Sequence, residues 1–366
     1  MYIVIITSLI ALYLTYLESR GQKEGGMKTG FVMLTILACI HYNYGNDYMS
    51  YYGVYKEVEI TPYDFQSIMA GDIFRDSGWV LLNYLFKPLG GFFVLVAALS
   101  IFQGVVYYRF IEKHVDKKLW WMAMFIYVIS TSFYVINFSM LRQGFAVTMF
   151  LACYSLIIQR NIKSSLIAAA IMFLTSFVHH SAIITIPFCF WFFLPMKNGK
   201  LWCVTYISFF FLMYLSSDFM NAILEPLFAS EFAEGYLNTY EQVNSGFTGG
   251  IGWVLLLLPF FVSLSYMFIS GDEQKRLLVM LSAISTMIMP ISMIIPMAGR
   301  VGIYFSVYSI AAFPTAYFAI PNKSWRQILV VSYLMITAFD YYKFFFIDTT
   351  WEKHYRDFHT IFEVLI

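Results

Sequence analysis

Charge is what this sequence has least of. Only 12% of its residues are Asp, Glu, Lys or Arg, about half the share of a soluble domain. A chain of 366 residues so poor in charge cannot cover a globule with a wetted surface. Neither sign dominates, because 23 Lys and Arg face 22 Asp and Glu. With no basic cluster and no zinc-ligand spacing, nothing favours nucleic acid as a partner. Cysteine is scarce too. Cys39, Cys153, Cys189 and Cys203 fall in or beside apolar stretches and read as buried thiols, not disulfides or metal ligands. The glycines form no GxGxxG or Walker pattern, and no HExxH is present. The chain is therefore expected to hydrolyse no nucleotide, hold no metal and use no cofactor.

What remains is apolar. Hydrophobic residues make up 60% of the chain, with 38 Phe, 28 Tyr and a mean hydropathy of +0.68. Runs near the length that crosses a bilayer, about 20 residues, recur from end to end. The reading is an all-α polytopic membrane bundle of about twelve helices, within a range of about 10–13. The spans are drawn at 1–17, 30–45, 89–108, 119–137, 141–159, 164–179, 181–195, 201–217, 250–270, 277–297, 302–320 and 326–342. The first has no basic region before it and no small-residue cleavage site after it, so it reads as a retained helix. Those around His179, His180 and Pro187 read as broken or re-entrant.

Charge placement orients the bundle. With the N-terminus outside, the inward connections hold Arg20, Lys23 and Lys28; Arg109, Lys113, Lys117 and Lys118; Arg160 and Lys163; Lys197 and Lys200; Lys275 and Arg276; and Lys323 and Arg326. Every inward connection is basic, as the positive-inside rule demands. Both termini are expected on the non-cytoplasmic side. Residues 1–342 form one transmembrane domain, with long outward loops at 46–88 and 218–249. The outward tail, 343–366, spaces Trp351, Tyr355, Phe358 and Phe362 four, three and four apart, which predicts an amphipathic helix lying in the interface.

The informative residues are the few polar ones at the outer rim. Arg142, in NFSMLRQGFAVTMF, begins a long apolar helix after a hairpin with almost no loop. A rim arginine is costly and suggests function. A helix N-terminus also favours an anion, so Arg142, Gln143 and the free N–H groups suit a phosphate. Snorkelling to headgroups is the simpler alternative. Arg300, in PMAGRVGIYF, is placed in another tight outward turn, after Pro290 and Pro296. Two arginines suit a pyrophosphate, because each can bind it bidentately and both stay charged. A lipid anchor is the alternative here too. His179 and His180 make no metal site, since neighbours on a helix diverge. One of them suits deprotonation of a hydroxyl or a hold on a phosphate oxygen, and an interhelical hydrogen bond weighs equally. In the first loop, Asp47, Tyr48, Tyr51 and Tyr52, with Arg75, Asp76, Trp79 and Asn83, suit a sugar or equally an interfacial aromatic belt.

The stretches GNDYMSYY, DSGWVLLN, NFSMLRQGFA, FVHHSAIITIP and RVGIYF, in this order over about residues 40–305, resemble the EpsG-like branch of the Wzy-type bacterial polysaccharide polymerases. The family's arginine–glutamine pair is met by Arg142 and Gln143, its histidine by His179, and its later arginine by Arg300, with Tyr304 and Phe305 following. Its first-loop acid is met by Asp47. Asp76 stands where the family often has glutamate. The ending after about residue 340 departs from the family's proline-tyrosine pattern.

The resemblance implies a GT-C-like fold in the bacterial inner membrane with a site facing the periplasm or cell exterior. It implies a glycosyltransferase that joins undecaprenyl-pyrophosphate-linked repeat units for capsule, exopolysaccharide or O antigen. Arg142, His179, Arg300 and Asp47 would be catalytic, and Gln143, His180, Arg75, Asp76, Tyr48, Tyr51 and Tyr304 would bind substrate. Membrane lipids, a flippase and chain-length regulators of the same pathway are the implied partners. A flippase or transporter of lipid-linked glycan, a polysaccharide acyltransferase and an envelope assembly subunit are the competing readings.

Overall fold

In the computed structural model, which describes residues 1–191, 197–215, 257–294 and 296–365, the first helix is inside out by the standards of a soluble protein. Helix α1 (Tyr2–Ser19) buries Val4, Ser8, Ala11 and Thr15, while Tyr2, Ile3, Ile6, Leu9, Ile10 and Tyr13 are exposed. Lipid is as apolar as leucine, so helices meet through small residues and turn large ones outward. Helix α2 (Gly26–Ile40) follows the same rule. A Cβ on Gly26 would lie 2.1 Å from the Leu14 carbonyl oxygen, and one on Gly30 would lie 3.1 Å from the Ala11 Cα. The turn between the two helices is fixed by Glu18. Its carboxylate accepts hydrogen bonds from the Gly25 and Met27 N–H groups at 3.2 and 2.8 Å, capping donors that helix α2 cannot satisfy itself.

The chain continues through a two-residue strand β1 (His41–Tyr42), then α3 (Tyr48–Ile60), α4 (Phe65–Ala70) and α5 (Ser77–Phe86). Residues 46–88, expected as the first long loop, are therefore mostly helical. Next come α6 (Phe92–His114) and α7 (Trp120–Ile129), a π-turn over Thr131–Val135, a 3-10 turn over Ile136–Phe138, then α8 (Leu141–Ile157) and α9 (Ile162–Ser176). The expected break near the histidines is present as a 3-10 helix (His180–Thr185) followed by the short α10 (Ile186–Cys189). Beyond it lie α11 (Gly199–Leu215), α12 (Leu258–Ile269), α13 (Glu273–Ile294), α14 (Pro296–Ser306), α15 (Ser309–Phe318), α16 (Lys323–Phe346), α17 (Thr349–Tyr355), strand β2 (His359–Thr360) and α18 (Phe362–Leu365). The second long loop, 218–249, lies outside the described residues.

Among the described residues, three helices are long and apolar enough to cross a membrane: α1, α6 and α16. Two bent pairs raise this to five, one around Ser130 with a 53° bend and one between α14 and α15 with a 58° bend. Six more apolar helices span 10–17 residues. Together with the outward-facing apolar side chains, this is the architecture of a polytopic, all-helical membrane protein.

Packing divides the chain into two units, Met1–Leu194 with Thr337–Ile366, and Pro195–Ile336. Within the second, Arg276 is buried at the start of α13. Its guanidinium donates to the carbonyls of Lys197, at 3.0 Å, and of Ser270, which closes α12. A basic residue between two apolar helices thus ties down helix-end carbonyls. Arg300 lies within α14 rather than in a tight turn, because the chain re-enters a helix at Pro296, a residue well suited to a helix's first turn.

In the first unit the C-terminal tail departs from the expected single interfacial helix. Helix α17 stops at Tyr355, and β2 pairs antiparallel with β1, with His41 opposite Thr360 and Tyr42 opposite His359. The Met1 ammonium donates to the Arg356 carbonyl at 2.8 Å, and the Gly45 N–H donates to that of His354 at 3.0 Å. The helical spacing of aromatics is used instead to bury Tyr355, whose ring meets Tyr44 at 5.0 Å and Phe344 at 5.1 Å. Truncating a buried aromatic to Ala costs about 3–5 kcal/mol. Tyr355→Ala should therefore lower the thermal midpoint in detergent and expose the tail to protease, and an unchanged digestion pattern would contradict this packing.

Candidate functional site

Four polar residues from three separate segments converge in the first unit. An apolar cluster sets their register. Tyr51, Trp79, Leu141 and Val178 all belong to one buried core. Leu141 immediately precedes Arg142, Val178 immediately precedes His179, and Trp79 follows Asp76 by one helical turn. Burial of the apolar members places the polar ones side by side at the cluster's edge.

Asp76 is the hub. It occupies the N-cap position of α5, where an aspartate normally turns back to accept from its own helix. Its carboxylate makes no such bond. Instead, Oδ2 accepts a hydrogen bond from Arg142 Nη1. His179 Nδ1 lies 4.0 Å from the same oxygen, and His180 Nδ1 lies 3.9 Å from Oδ1. Side-chain exposure rises from 7% at Asp76 through 14% at His179 and 18% at Arg142 to 64% at His180. The carboxylate is thus the floor and His180 the open side. Burial pushes the Asp76 carboxyl above its ordinary range, and Arg142, then His180 and Arg75, pull it back.

Arg142 sits in the first turn of α8, after the π-turn and the 3-10 turn. A cation there faces the positive end of the helix dipole, so Asp76 offsets an unfavourable placement. The guanidinium carbon also lies 5.1 Å from the Tyr51 ring centroid and 4.6 Å from that of Phe74, a cation–π seat. The buried Arg142 Nε has no hydrogen-bond partner among the described residues. A buried donor on a charged group without an acceptor is a costly exception that calls for an explanation.

The histidines converge for a reason that helix geometry does not supply. His179 is extended (φ −150°, ψ 110°) and caps the 3-10 helix that His180 begins. The divergence expected of helical neighbours therefore does not apply, and both rings reach one carboxylate. Their segment is fastened to α5 at Gly78, whose N–H donates to the Phe177 carbonyl at 2.9 Å. A Cβ there would stand 2.7 Å from the Phe177 carbonyl carbon, so only glycine permits the approach.

The other expected site residues fall around this cluster or away from it. Arg75, beside Asp76, is exposed. Asp47 is half-buried at the start of α3. Its N–H donates to Ser139 Oγ at 3.1 Å, and Asn46 Nδ2 donates to its carboxylate at 3.0 Å. This ties Asp47 to the turn that leads into Arg142. Gln143 is 2% exposed, part of the packed interior and not of the rim. Tyr48 and Tyr304 are fully buried, and neither offers a ring face in this conformation. Tyr48 donates to the His41 carbonyl at 3.3 Å. Arg300 and Tyr304 belong to the second unit. Among the described residues no group of three His, Cys, Asp or Glu has metal-site geometry.

The model of the EpsG family matches residues 29–356. The chain belongs to the EpsG family. No curated protein and no solved structure matches it. Membership makes this a membrane protein of polysaccharide biosynthesis, and the match covers every segment of the Asp76 cluster in this EpsG chain. Sequence reading found each member separately but missed their pairing, and it missed Phe74 and Gly78. The one available signal for Gly78 was its position two residues after Asp76, at a helix start where glycine has no propensity to recommend it.

Proposed function

We propose that this protein is a polysaccharide polymerase, a glycosyltransferase that joins undecaprenyl-pyrophosphate-linked oligosaccharide repeat units on the outer face of the bacterial inner membrane. The observation that carries the reading is Arg142: a half-buried, aromatic-seated guanidinium in an EpsG chain, whose buried Nε donor has no acceptor among the described residues. A phosphate oxygen is the acceptor that a guanidinium best accommodates. In the proposed reaction the acceptor sugar's hydroxyl oxygen bonds to the anomeric carbon of the growing chain. The bond from that carbon to the pyrophosphate oxygen breaks, and undecaprenyl pyrophosphate leaves with the electron pair. Arg142 stabilises the charge that builds on the leaving oxygen. His179 takes the hydroxyl proton. Arg300, Asp47 and the substrate-binding roles of Arg75, Tyr51 and His180 enter from the family pattern. The bundle of about twelve spans with both termini outside enters from the apolar runs and the placement of basic residues, and the partnership with a flippase and chain-length regulators from the family pattern.

Deletion in the native host tests this. Single lipid-linked repeat units should accumulate on the outer leaflet while long glycan disappears, and Arg142→Ala should not restore it. Units stranded on the inner leaflet would point instead to a flippase. Unchanged long glycan would overturn the proposal.

A further inference from the structure

We infer that Asp76 is a positioning residue that couples the proton acceptor to the arginine, an inference that rests on the polymerase reading of the site. One carboxylate oxygen, Oδ2, faces both the Arg142 Nη1 and the His179 Nδ1. Two consequences follow from that sharing.

The first concerns the histidine's tautomer. An imidazole that directs Nδ1–H to a carboxylate presents Nε2 as its basic nitrogen. The 4.0 Å separation is longer than a hydrogen bond, and such contacts tighten when substrate closes the site. Asp76 would thus select Nε2 of His179 as the atom that receives the acceptor's hydroxyl proton. The imidazolium formed in that step is then stabilised by the same carboxylate.

The second concerns charge. While His179 is neutral, Asp76 is shared chiefly with Arg142. Once His179 is protonated, two cations compete for Oδ2, and the pull of Asp76 on Arg142 weakens. The guanidinium becomes a stronger partner for the departing pyrophosphate at the moment its charge develops. Protonation of the base and stabilisation of the leaving group are linked through one buried carboxylate. The proton later leaves Nε2 for solvent on the His180 side. The other charged groups around His179 are Arg142 on α8, Arg75 just before α5, and His180 on its own segment, all oriented on or close to Asp76. Asp76 is the acid that these described groups share. Its position also explains why an N-cap aspartate abandons its own helix.

The test is Asp76→Asn, with Asp76→Glu as the conservative partner, in the full-length protein in nanodiscs. Replacing the carboxylate that fixes a catalytic histidine's tautomer by its amide can cost as much as about 10⁴-fold in kcat. Asp76→Asn should lose up to that much in kcat with little change in KM. Its rising pH limb should move to lower pH, because the imidazolium has lost its counter-charge. Asp76→Glu should recover both the rate and the limb. A merely structural role would lower activity at every pH without moving the limb. The titration of His179, followed by NMR of the histidine ring, gives a second readout that needs no turnover. A His179 midpoint unchanged in Asp76→Asn overturns the inference whatever the activity. Wild-type protein that makes no polymer would overturn the polymerase reading instead, and a shifted midpoint there would still establish the Asp76–His179 coupling.

Discussion

Arg142→Ala should reduce polymer formation by about 10³-fold, the usual loss when one preorganised donor to a developing oxyanion is removed. It should also destabilise the protein. Asp76 is left as a buried carboxylate without its guanidinium, and breaking a buried pair from one side costs about 3–5 kcal/mol. The two effects separate in the double variant Arg142→Ala/Asp76→Asn, which removes both charges. It should recover much of the thermal midpoint and none of the activity. Arg142→Lys should also remain poor. A single ammonium can meet Asp76 or a phosphate oxygen, but it lacks the fork that meets both. The check is turnover at saturating lipid-linked donor beside thermal unfolding of each variant. Full activity in Arg142→Lys would contradict a bidentate role.

Gly78→Ala should impair turnover although the residue has no functional side chain. The added methyl would lie 2.7 Å from the Phe177 carbonyl carbon and 2.9 Å from its Cβ. Those are rigid atoms, so α5 and the end of α9 must move apart. The 2.9 Å bond from the Gly78 N–H to Phe177 weakens with them. Overpacking of this kind costs about 1–3 kcal/mol. The functional loss should be larger. Asp76 lies two residues before Gly78 and His179 two residues after Phe177, so the clash acts directly on their separation. A misplacement of about 1 Å can cost about 10²-fold in rate. Gly78→Ala should therefore fold, with a modestly lowered midpoint, and turn over about a hundredfold more slowly. Wild-type turnover in a folded Gly78→Ala would show that the α5–α9 contact does not set the site.

These two positions show what could be read from the sequence and what could not. Arg142 was visible because a charged residue at the rim of an apolar helix is expensive wherever it lies. The membrane class was visible for the same reason, and α1 then shows the rule in detail, with Ser8, Ala11 and Thr15 inward and Ile6, Leu9 and Tyr13 outward. Asp76 was visible as a candidate but not as a partner. Its link to Arg142 spans 66 residues, and no local pattern carries information over that distance. The histidine pair was read through helical geometry. It escapes that geometry because His179 is extended at a helix break. The tail misled in a related way. Its aromatic spacing is helical as far as Tyr355, but its strand partner, His41–Tyr42, is more than 300 residues away in sequence. Local period showed which residues are apolar, and tertiary pairing decided what they face.

The most direct measurement is product length. Purified protein in nanodiscs is given one defined undecaprenyl-pyrophosphate oligosaccharide, and the glycan products are sized on a gel with released undecaprenyl pyrophosphate quantified alongside. The account predicts a ladder spaced by one repeat unit, one undecaprenyl pyrophosphate released for each bond formed, and loss of both signals in Arg142→Ala and His179→Ala. Intact single-unit substrate after incubation with folded wild-type protein would contradict it, as would an undiminished ladder from either variant.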